Sequence, residues 1–244
     1  METLSLKQPL RAVLLDVDGT LYDQRYLRLL MIMELWALPL SSYSLRSAYN
    51  TWQAIRHFRR VREELRTWGQ PAGCLARLQY IEAAKQSGID LTTMESSVSE
   101  WLYERPLKYL RRCRFPGIPA FLSFLTSANL RVGVFSDYPA ADKLEALDLI
   151  DAIPLVLCAT DPEINALKPH PNGLLRACSL WGVSPDEVLY VGDRPEVDAV
   201  AAAAAGMPCV IITRSGRRTN PQSRHSHYAI LHSFAELEQA LANS

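Results

Sequence analysis

The sequence of 244 residues predicts an α/β fold, in which helices cover both faces of a parallel β-sheet that carries a helical insertion. Three observations support this. From residue 120 onward, short apolar runs alternate with helical patterns, as expected when helices connect parallel strands. The runs are apolar throughout, which is typical of strands buried on both faces. Residues 24–114 break the alternation, because they contain many helix formers and few β-rich runs.

The elements of this sheet follow one another along the chain. Five strands are predicted by the segments RAVLLDV (11–17), LRVGVFS (130–136), IPLVLC (153–158), VLYVG (188–192) and CVIIT (209–213). A helical pattern precedes each of the last four strands. These patterns occupy residues 120–128, 140–149, 173–182 and 197–206. The alanine run near residue 203 predicts a closely packed helix that ends at Gly206, since glycine suits a left-handed C-cap.

The insertion is predicted to be a helical cap domain of residues 23–114, placed within a core made of residues 1–22 and 115–244. Turn signals at 38–39, 69–71 and 87–88 divide it into three or four helices. We expect its hinges at residues 20–24 and 113–117.

Charge also separates the insertion from the core. Residues 24–114 contain 15 Lys and Arg but 8 Asp and Glu, whereas the whole chain has no net charge. A positive insertion over an acidic core suits a phosphorylated ligand. The basic stretch RHFRRVREELR (56–66) is, however, more typical of the solvated face of an amphipathic helix.

Composition argues against several classes of protein. The zero net charge predicts no nucleic-acid partner, and the basic segment 214–227 lacks the interleaved aromatic residues of a single-strand binder. The apolar stretch 27–40 contains Arg28 and Glu34, so we expect no membrane span. The first ten residues do not resemble an export signal. Five dispersed cysteines suggest neither disulfides nor a zinc site, which favours the cytoplasm. Nothing in the sequence indicates the oligomeric state.

Charged and polar residues follow three of the predicted strands. Asp16 and Asp18 lie in DVDGT after the first strand, Ser136 ends the second, and Asp193 follows the fourth. Because the carboxyl ends of parallel strands meet at one edge of a sheet, we expect these side chains to lie together with Lys168. Each of them alone is more often a turn residue, a helix cap or a surface charge.

The clustered carboxylates predict a cation, because they repel one another unless positive charge compensates them. Mg²⁺ binds one or two carboxylates together with water and phosphate oxygens. Gly19 lets the backbone amides near Thr20 approach an anion. The strand ends are therefore expected to hold a phosphoryl group beside Mg²⁺.

The sequence resembles the haloacid dehalogenase-like hydrolase superfamily in four motifs and their order. These are D-V-D-G-T-L, a Ser that ends the second strand, Lys-Pro, and G-D-x-x-x-x-D. The resemblance covers residues 10–213 and points to the phosphoglycolate phosphatase-like branch, which has a helical cap after the first motif. It implies a Rossmann-like core and a Mg²⁺-dependent phosphatase that acts on a small phosphorylated metabolite through an aspartyl-phosphate.

The resemblance also implies a role for each matching residue. Asp16 would be the nucleophile and Asp18 the general acid and base. Mg²⁺ would bind Asp16, Asp193 and the main-chain carbonyl of Asp18. Asp198 would support the site, by orienting Lys168 or a metal-bound water. The implied phosphate-binding residues are Ser136, Asp137, Lys168, Gly19 and Thr20.

Two other functions stay open on the same scaffold. Asp18 favours phosphate esters, because relatives that cleave carbon–halogen or phosphorus–carbon bonds lack an aspartate there. Sugar phosphomutases retain both aspartates, however, and a catalytically idle binding or regulatory protein is the third alternative.

The substrate is expected to be selected by the cap. Arg56, Arg59 and Arg60 are candidates for contacting an anionic leaving group, and Tyr22 lies next to a hinge. Two motifs depart from the common pattern. In FSDYP, Tyr138 is expected to line the pocket, and in GDRPEVD, Arg194 is expected to pair with a carboxylate.

Overall fold

The computed structural model describes residues 8–37, 45–213 and 228–243. Its strands are β1 (Ala12–Leu15), β2 (Arg131–Ser136), β3 (Leu155–Cys158), β4 (Val188–Gly192), β5 (Cys209–Ile212) and β6 (Ala229–Leu231). All strand pairs are parallel, and the strand order in the sheet is β3-β2-β1-β4-β5-β6. The α-helices of the described residues are α1 (Gln24–Ala37), α2 (Leu45–Leu65), α3 (Leu75–Ser87), α4 (Leu91–Val98), α5 (Leu107–Cys113), α6 (Ile118–Ser127), α7 (Ala141–Ala146), α8 (Asn172–Trp181), α9 (Val200–Ala205) and α10 (Phe234–Ala242).

The sheet is buried on both faces. In the central strand β1, Ala12 and Leu14 belong to one apolar cluster, and Val13 and Leu15 belong to a second one. Successive side chains of a strand point to opposite faces, so these two clusters lie on opposite sides of the sheet. The predicted α/β fold with a covered parallel sheet is confirmed.

The five predicted strands all occur, and α9 ends at Gly206 with a left-handed φ of 77°, as predicted. The sequence analysis missed β6, which has only three half-buried residues at the sheet edge. So short a segment has no detectable periodicity. The basic segment 214–227 and the turn signal at 38–39 lie outside the described residues.

The helical insertion follows β1, as expected, but it is more divided than predicted. Its described residues form five α-helices, α1 to α5, instead of three or four. Gly88 ends α3 in a left-handed conformation, and Asp90 begins α4 by accepting the Thr93 N–H. A π-helical turn, Ser99–Glu104, then leads to Pro106, which lacks an N–H and separates α5 from the preceding helix.

The chain enters and leaves the insertion at neighbouring positions beside β1. The Asp23 N–H donates to the Cys113 carbonyl at 2.9 Å, and the Phe115 N–H donates to the Leu21 carbonyl at 3.2 Å. The two connections therefore lie side by side next to the strand end. No helix of the described ranges is both long and apolar enough to cross a membrane.

Candidate active site at the strand ends

A cavity of about 900 Å³ lies between the carboxyl ends of the central strands and the inserted helices. Asp16, Asp18, Lys168 and Asp193 all line it, although they are far apart in sequence. The parallel pairing of β1 with β2 and β4 brings the three strand ends together. The convergence expected from the sequence is therefore present in the fold.

Asp16 is fixed at the base of the cavity and is only 4% exposed. Its N–H donates to the Val191 carbonyl at 2.8 Å, which continues β1 along β4. The Thr20 hydroxyl donates to Oδ2 at 3.0 Å, and the Lys168 ammonium donates to Oδ1 at 2.5 Å. Burial raises the pKa of Asp16 to about 8; Lys168 opposes the rise and the carboxylates nearby add to it.

Asp18 has the opposite electrostatic environment. Lys143, from α7, contacts both carboxylate oxygens, at 2.6 and 2.8 Å, and the Tyr22 hydroxyl donates to Oδ1. The Ser136 hydroxyl lies 3.4 Å from Oδ2. Burial alone would raise the pKa of Asp18, but Lys143 and Tyr22 together hold it below the ordinary value. The side chain is therefore held as a carboxylate.

Lys168 occupies the centre of a buried polar network. Besides Asp16, it donates to Asp198 Oδ1 at 2.8 Å and to the Tyr190 hydroxyl at 3.0 Å. Burial alone would lower the pKa of Lys168, but Asp16 and Asp198 raise it well above the ordinary value. Asp198 Oδ2 accepts the N–H groups of Asp193 and Arg194, at 3.2 and 3.0 Å. Asp198 thus connects Lys168 to the loop after β4.

The donor set at this edge fits a hard divalent cation. Asp16, Asp193 and Asp198 each offer a carboxylate oxygen, and these oxygens lie within 4.8 Å of one another. Asp198 is already engaged by Lys168 and two N–H groups, so Asp16 and Asp193 fit the cation better. A cation there would offset the burial and repulsion that raise the Asp16 pKa.

Gly19 makes this close approach possible. Its φ is 100°, and a Cβ atom there would lie 2.5 Å from Asp193 Oδ2. Any side chain at position 19 would therefore push the loop after β1 away from Asp193.

Asp137, which the sequence predicted to bind phosphate, lines the cavity, but its carboxylate is engaged by basic groups of the protein. Its carboxylate accepts from the Arg66 guanidinium at 2.6 Å and from the Lys168 N–H at 3.1 Å. Arg62 donates to its carbonyl at 2.5 Å. Burial raises the pKa of Asp137, but Lys168, Arg66 and Arg62 together hold it below the ordinary value. The Asp137 side chain therefore connects the core to Arg66, the residue that follows α2, and its role in phosphate binding stays a prediction.

The predicted substrate residues of the insertion divide into two groups. Tyr22, Arg56 and Arg59 line the cavity. Arg60 does not, because its guanidinium pairs with Glu64 at 3.0 Å on the outer surface of α2, and its side chain is 70% exposed. The prediction for Arg60 was wrong, because the basic stretch alone does not show which side of the helix each arginine occupies.

The expectations for the two unusual motifs hold. Tyr138 lines the cavity, and its ring lies 4.0 Å from the buried Arg62 guanidinium. Arg194 pairs with Glu196 at 3.0 Å and with Glu63 of α2 at 3.5 Å.

Two residues of the site were missed. Tyr190 lies within β4 among apolar residues, where its sequence context indicates only a core side chain. Lys143 lies within α7. Lys143 did have a detectable signal. It shares the helical spacing of the buried residues Ala140, Leu144 and Leu147, so it is a charge on the apolar side of its helix.

Comparisons with known proteins agree with this geometry. Residues 10–206 match the family model of haloacid dehalogenase-like hydrolases. A phosphoglycolate phosphatase from Salmonella paratyphi A is 30% identical over 221 residues, which is 84% of this chain and 82% of that protein. The solved structure of a 2-haloacid dehalogenase from Pseudomonas syringae covers 96% of this chain and 99% of its own, with a TM-score of 0.65 and 22% identity. A phosphatase structure from Thermococcus onnurineus gives a TM-score of 0.59 at 24% identity, over 95% of this chain and 98% of its own.

Proposed function

Because this chain belongs to the haloacid dehalogenase-like hydrolase family, we propose that it is a Mg²⁺-dependent phosphatase of a small phosphomonoester. The observation that carries the proposal is the arrangement at the strand ends. There Asp16 and Asp18 lie in one cavity but have opposite pKa shifts, and Lys168 and Asp193 lie beside them. Carboxylates with separated pKa values are suited to two different roles in one reaction.

Asp16, Asp193 and the main-chain carbonyl of Asp18 would hold Mg²⁺. When bound, the ion would neutralise phosphate oxygens and favour the ionised form of Asp16. Lys168, held by Asp198 and Tyr190, contributes a fixed positive charge on the same side. With the Ser136 hydroxyl and the amides near Gly19 and Thr20, it would bind the transferring phosphoryl group.

In the first step, an Asp16 carboxylate oxygen attacks phosphorus. The bond between phosphorus and the ester oxygen breaks, and Asp16 becomes an acyl-phosphate. Asp18 donates a proton to the departing oxygen, so the leaving group is released as an alcohol. Since Lys143 favours the carboxylate form of Asp18, Asp18 must bind a proton before this step.

In the second step, Asp18 is the base. It removes a proton from a water molecule, whose oxygen attacks the phosphorus of the acyl-phosphate. The bond to Asp16 breaks, inorganic phosphate leaves, and the Asp16 carboxylate is restored. The ion pair with Lys143 suits this step, because it keeps Asp18 ready to accept the proton.

We also propose that residues 23–114 act as a cap that covers the site, with core residues 1–22 and 115–244 beneath it. The adjoining connections at Asp23 and Phe115 and the contacts of Arg66 with the core support this division. A cytoplasmic location is consistent with five cysteines that are all free thiols, four of them buried.

Release of phosphate from nitrophenyl phosphate, with and without Mg²⁺, tests the proposed function. We expect activity that is lost in excess chelator. Asp16→Asn should lower kcat about a thousandfold or more, because it removes the nucleophile. The matched control is Asp142→Asn, at an exposed position of α7, which should keep wild-type activity. Activity that persists in chelator, or in Asp16→Asn, would contradict the proposal.

A further inference from the structure

Among the described residues, four arginines of the inserted helices line the cavity without an acidic ion-pair partner: Arg25, Arg28, Arg56 and Arg59. Arg28 of α1 and Arg56 and Arg59 of α2 line the same space as Asp16. Arg28 donates to the neutral Gln24 side chain at 2.7 Å, and the Arg56 guanidinium lies 5.2 Å from the centre of the Trp52 ring. In the part of the chain that the structure describes, no carboxylate is within ion-pairing distance of any of the four.

Two neighbouring arginines of the insertion are neutralised. Arg60 pairs with Glu64, one residue from Arg59 on the same helix. Arg66 pairs with Glu63 and with the core residue Asp137. Arg60 and Arg66, which are close to Arg59 in sequence, are thus compensated by acids of the protein, whereas Arg28 and Arg59 are not.

Arg59 is the arginine best placed to meet a ligand. Its side chain is exposed in the cavity, and it lies near the Tyr138 and Tyr22 hydroxyls and the Asp18 carboxylate. Burial lowers the pKa of Arg59 and repulsion from Arg28 lowers it further, while Tyr138, Tyr22 and Asp18 oppose the shift only in part. Two like charges in a partly desolvated space are unfavourable unless an anion compensates them.

We propose that Arg59 and Arg28 form a second anion-binding site, so that the substrate is a phosphomonoester whose leaving group bears another anionic group. The inference rests on the proposed function for the position of the phosphoryl group at Asp16. A guanidinium binds carboxylate and phosphate with parallel hydrogen bonds, so the second group is a carboxylate or a second phosphate. The paired arginines cannot do this, since acids of the protein occupy their donors.

Binding of phosphonates tests the inference without requiring turnover, because their carbon–phosphorus bond replaces the ester bond. Three ligands of similar length are compared by calorimetry with Mg²⁺ present: propylphosphonate, carboxyethylphosphonate and propane bisphosphonate. All carry the first phosphonate, and they differ only at the far end. We expect the carboxylate, the second phosphonate or both to lower Kd roughly tenfold to a hundredfold relative to the methyl group.

Arg59→Gln should reduce this gain to about twofold, and Arg28→Gln should reduce it partly. Arg60→Gln is the matched control, because it changes the same helix outside the cavity, and it should retain the full gain. Thermal melting checks that all three variants fold. Equal affinity of the three ligands for the wild-type protein, or an unchanged gain in both Arg59→Gln and Arg28→Gln, would overturn the inference.

The two experiments distinguish failure of the proposed phosphatase activity from failure of the second anion-binding site. If nitrophenyl phosphate released no phosphate but the second anion still tightened phosphonate binding in an Arg59-dependent manner, the chain would be a binding protein with this second site intact. Turnover of nitrophenyl phosphate without any preference for a second anion would support the phosphatase and refute the second site.

Discussion

The strand ends and the cavity wall opposite them differ in how their charges are balanced. At the strand ends, Lys168 lies between Asp16 and Asp198, and Lys143 holds Asp18. On the wall formed by the inserted helices, Arg28 and the arginines of α2 that face the cavity have no acid within reach among the described residues. The protein fixes its own charges where chemistry is proposed, and leaves charge to be completed by a ligand where recognition is proposed.

This difference has a physical reason. Groups that move protons or attack phosphorus act best when their partners are already in place, since no reorganisation is then needed during the reaction. A recognition site works differently, because an internal carboxylate would compete with the ligand for the guanidinium. We therefore expect substitutions at the strand ends to change kcat, and substitutions of Arg28 and Arg59 to change binding.

The largest effect within this comparison is expected for Lys143→Met. Lys143 is 7% exposed and contacts both carboxylate oxygens of Asp18, so methionine should fit the space but release the carboxylate. We expect kcat for nitrophenyl phosphate to fall about a hundredfold, with a smaller change in KM. The control is Lys85→Met, at a side chain that is 75% exposed on α3.

A pH profile separates this role from a general loss of structure. Because Lys143 lowers the pKa of Asp18, its removal should raise that pKa and move the Asp18-dependent limb of the profile to higher pH. A lower kcat with an unchanged profile would indicate only a packing defect.

The contact between the core residue Asp137 and Arg66, which follows α2, is expected to have a smaller effect, on the stability of the protein. The side chains of Arg66 and Asp137 are only 10% and 9% exposed, so Asp137→Asn leaves a poorly solvated guanidinium with Glu63 as its remaining acidic partner. We expect the free energy of unfolding to fall by about 2 kcal/mol in chemical denaturation. Glu64→Gln, which removes the exposed partner of Arg60, should have a much smaller effect, because water screens that pair. Equal losses would mean that Asp137 does not stabilise this contact.

The smallest effect is a pH dependence of stability in the metal-free protein. Asp16 has a pKa of about 8 in the fold and an ordinary value of 3.8, so the folded state binds a proton that the unfolded state releases between these values. Wild-type stability therefore falls as pH rises through this window, and Asp16→Asn should not share that loss.

Thermal unfolding in chelator at about pH 5 and about pH 8 measures this difference. The stabilisation by Asp16→Asn should be larger at the higher pH by about 1 kcal/mol or more, since one pKa unit corresponds to about 1.4 kcal/mol. Asp142→Asn should show no such trend. A stabilisation that is larger at the lower pH would mean that the carboxylate of Asp16 is favoured by the fold.

The sequence was informative where one local pattern decided the structure. Apolar runs placed five strands, and residues at their ends, such as Asp16 and Asp193, were predicted to meet because parallel strands share an edge. The same reasoning could not find Tyr190, whose hydroxyl matters only because Lys168 lies beside it. Nor could it show that Asp137 faces Arg66, since that contact joins residues 71 positions apart.

Helix orientation was the second limit. The stretch 56–66 contains arginines of three kinds: Arg59 in the cavity, Arg60 on the surface and Arg62 buried against Tyr138. The spacing of the sequence distinguishes Arg62 from the other two, because Arg62 lies on the same buried side of the helix as Phe58 and Leu65. Whether Arg59 or Arg60 faces the cavity depends on which elements pack against the helix. The sequence of the helix itself does not contain that information.

Trapping the covalent intermediate tests the central claim most directly. The protein is mixed with nitrophenyl phosphate and Mg²⁺, quenched in acid during turnover, reduced with borohydride and analysed by peptide mass spectrometry. An aspartyl-phosphate is reduced to homoserine, and we predict this conversion at Asp16, with none at Asp18 or in Asp16→Asn. Steady phosphate release without modification at Asp16, or with modification at another carboxylate, would contradict the account.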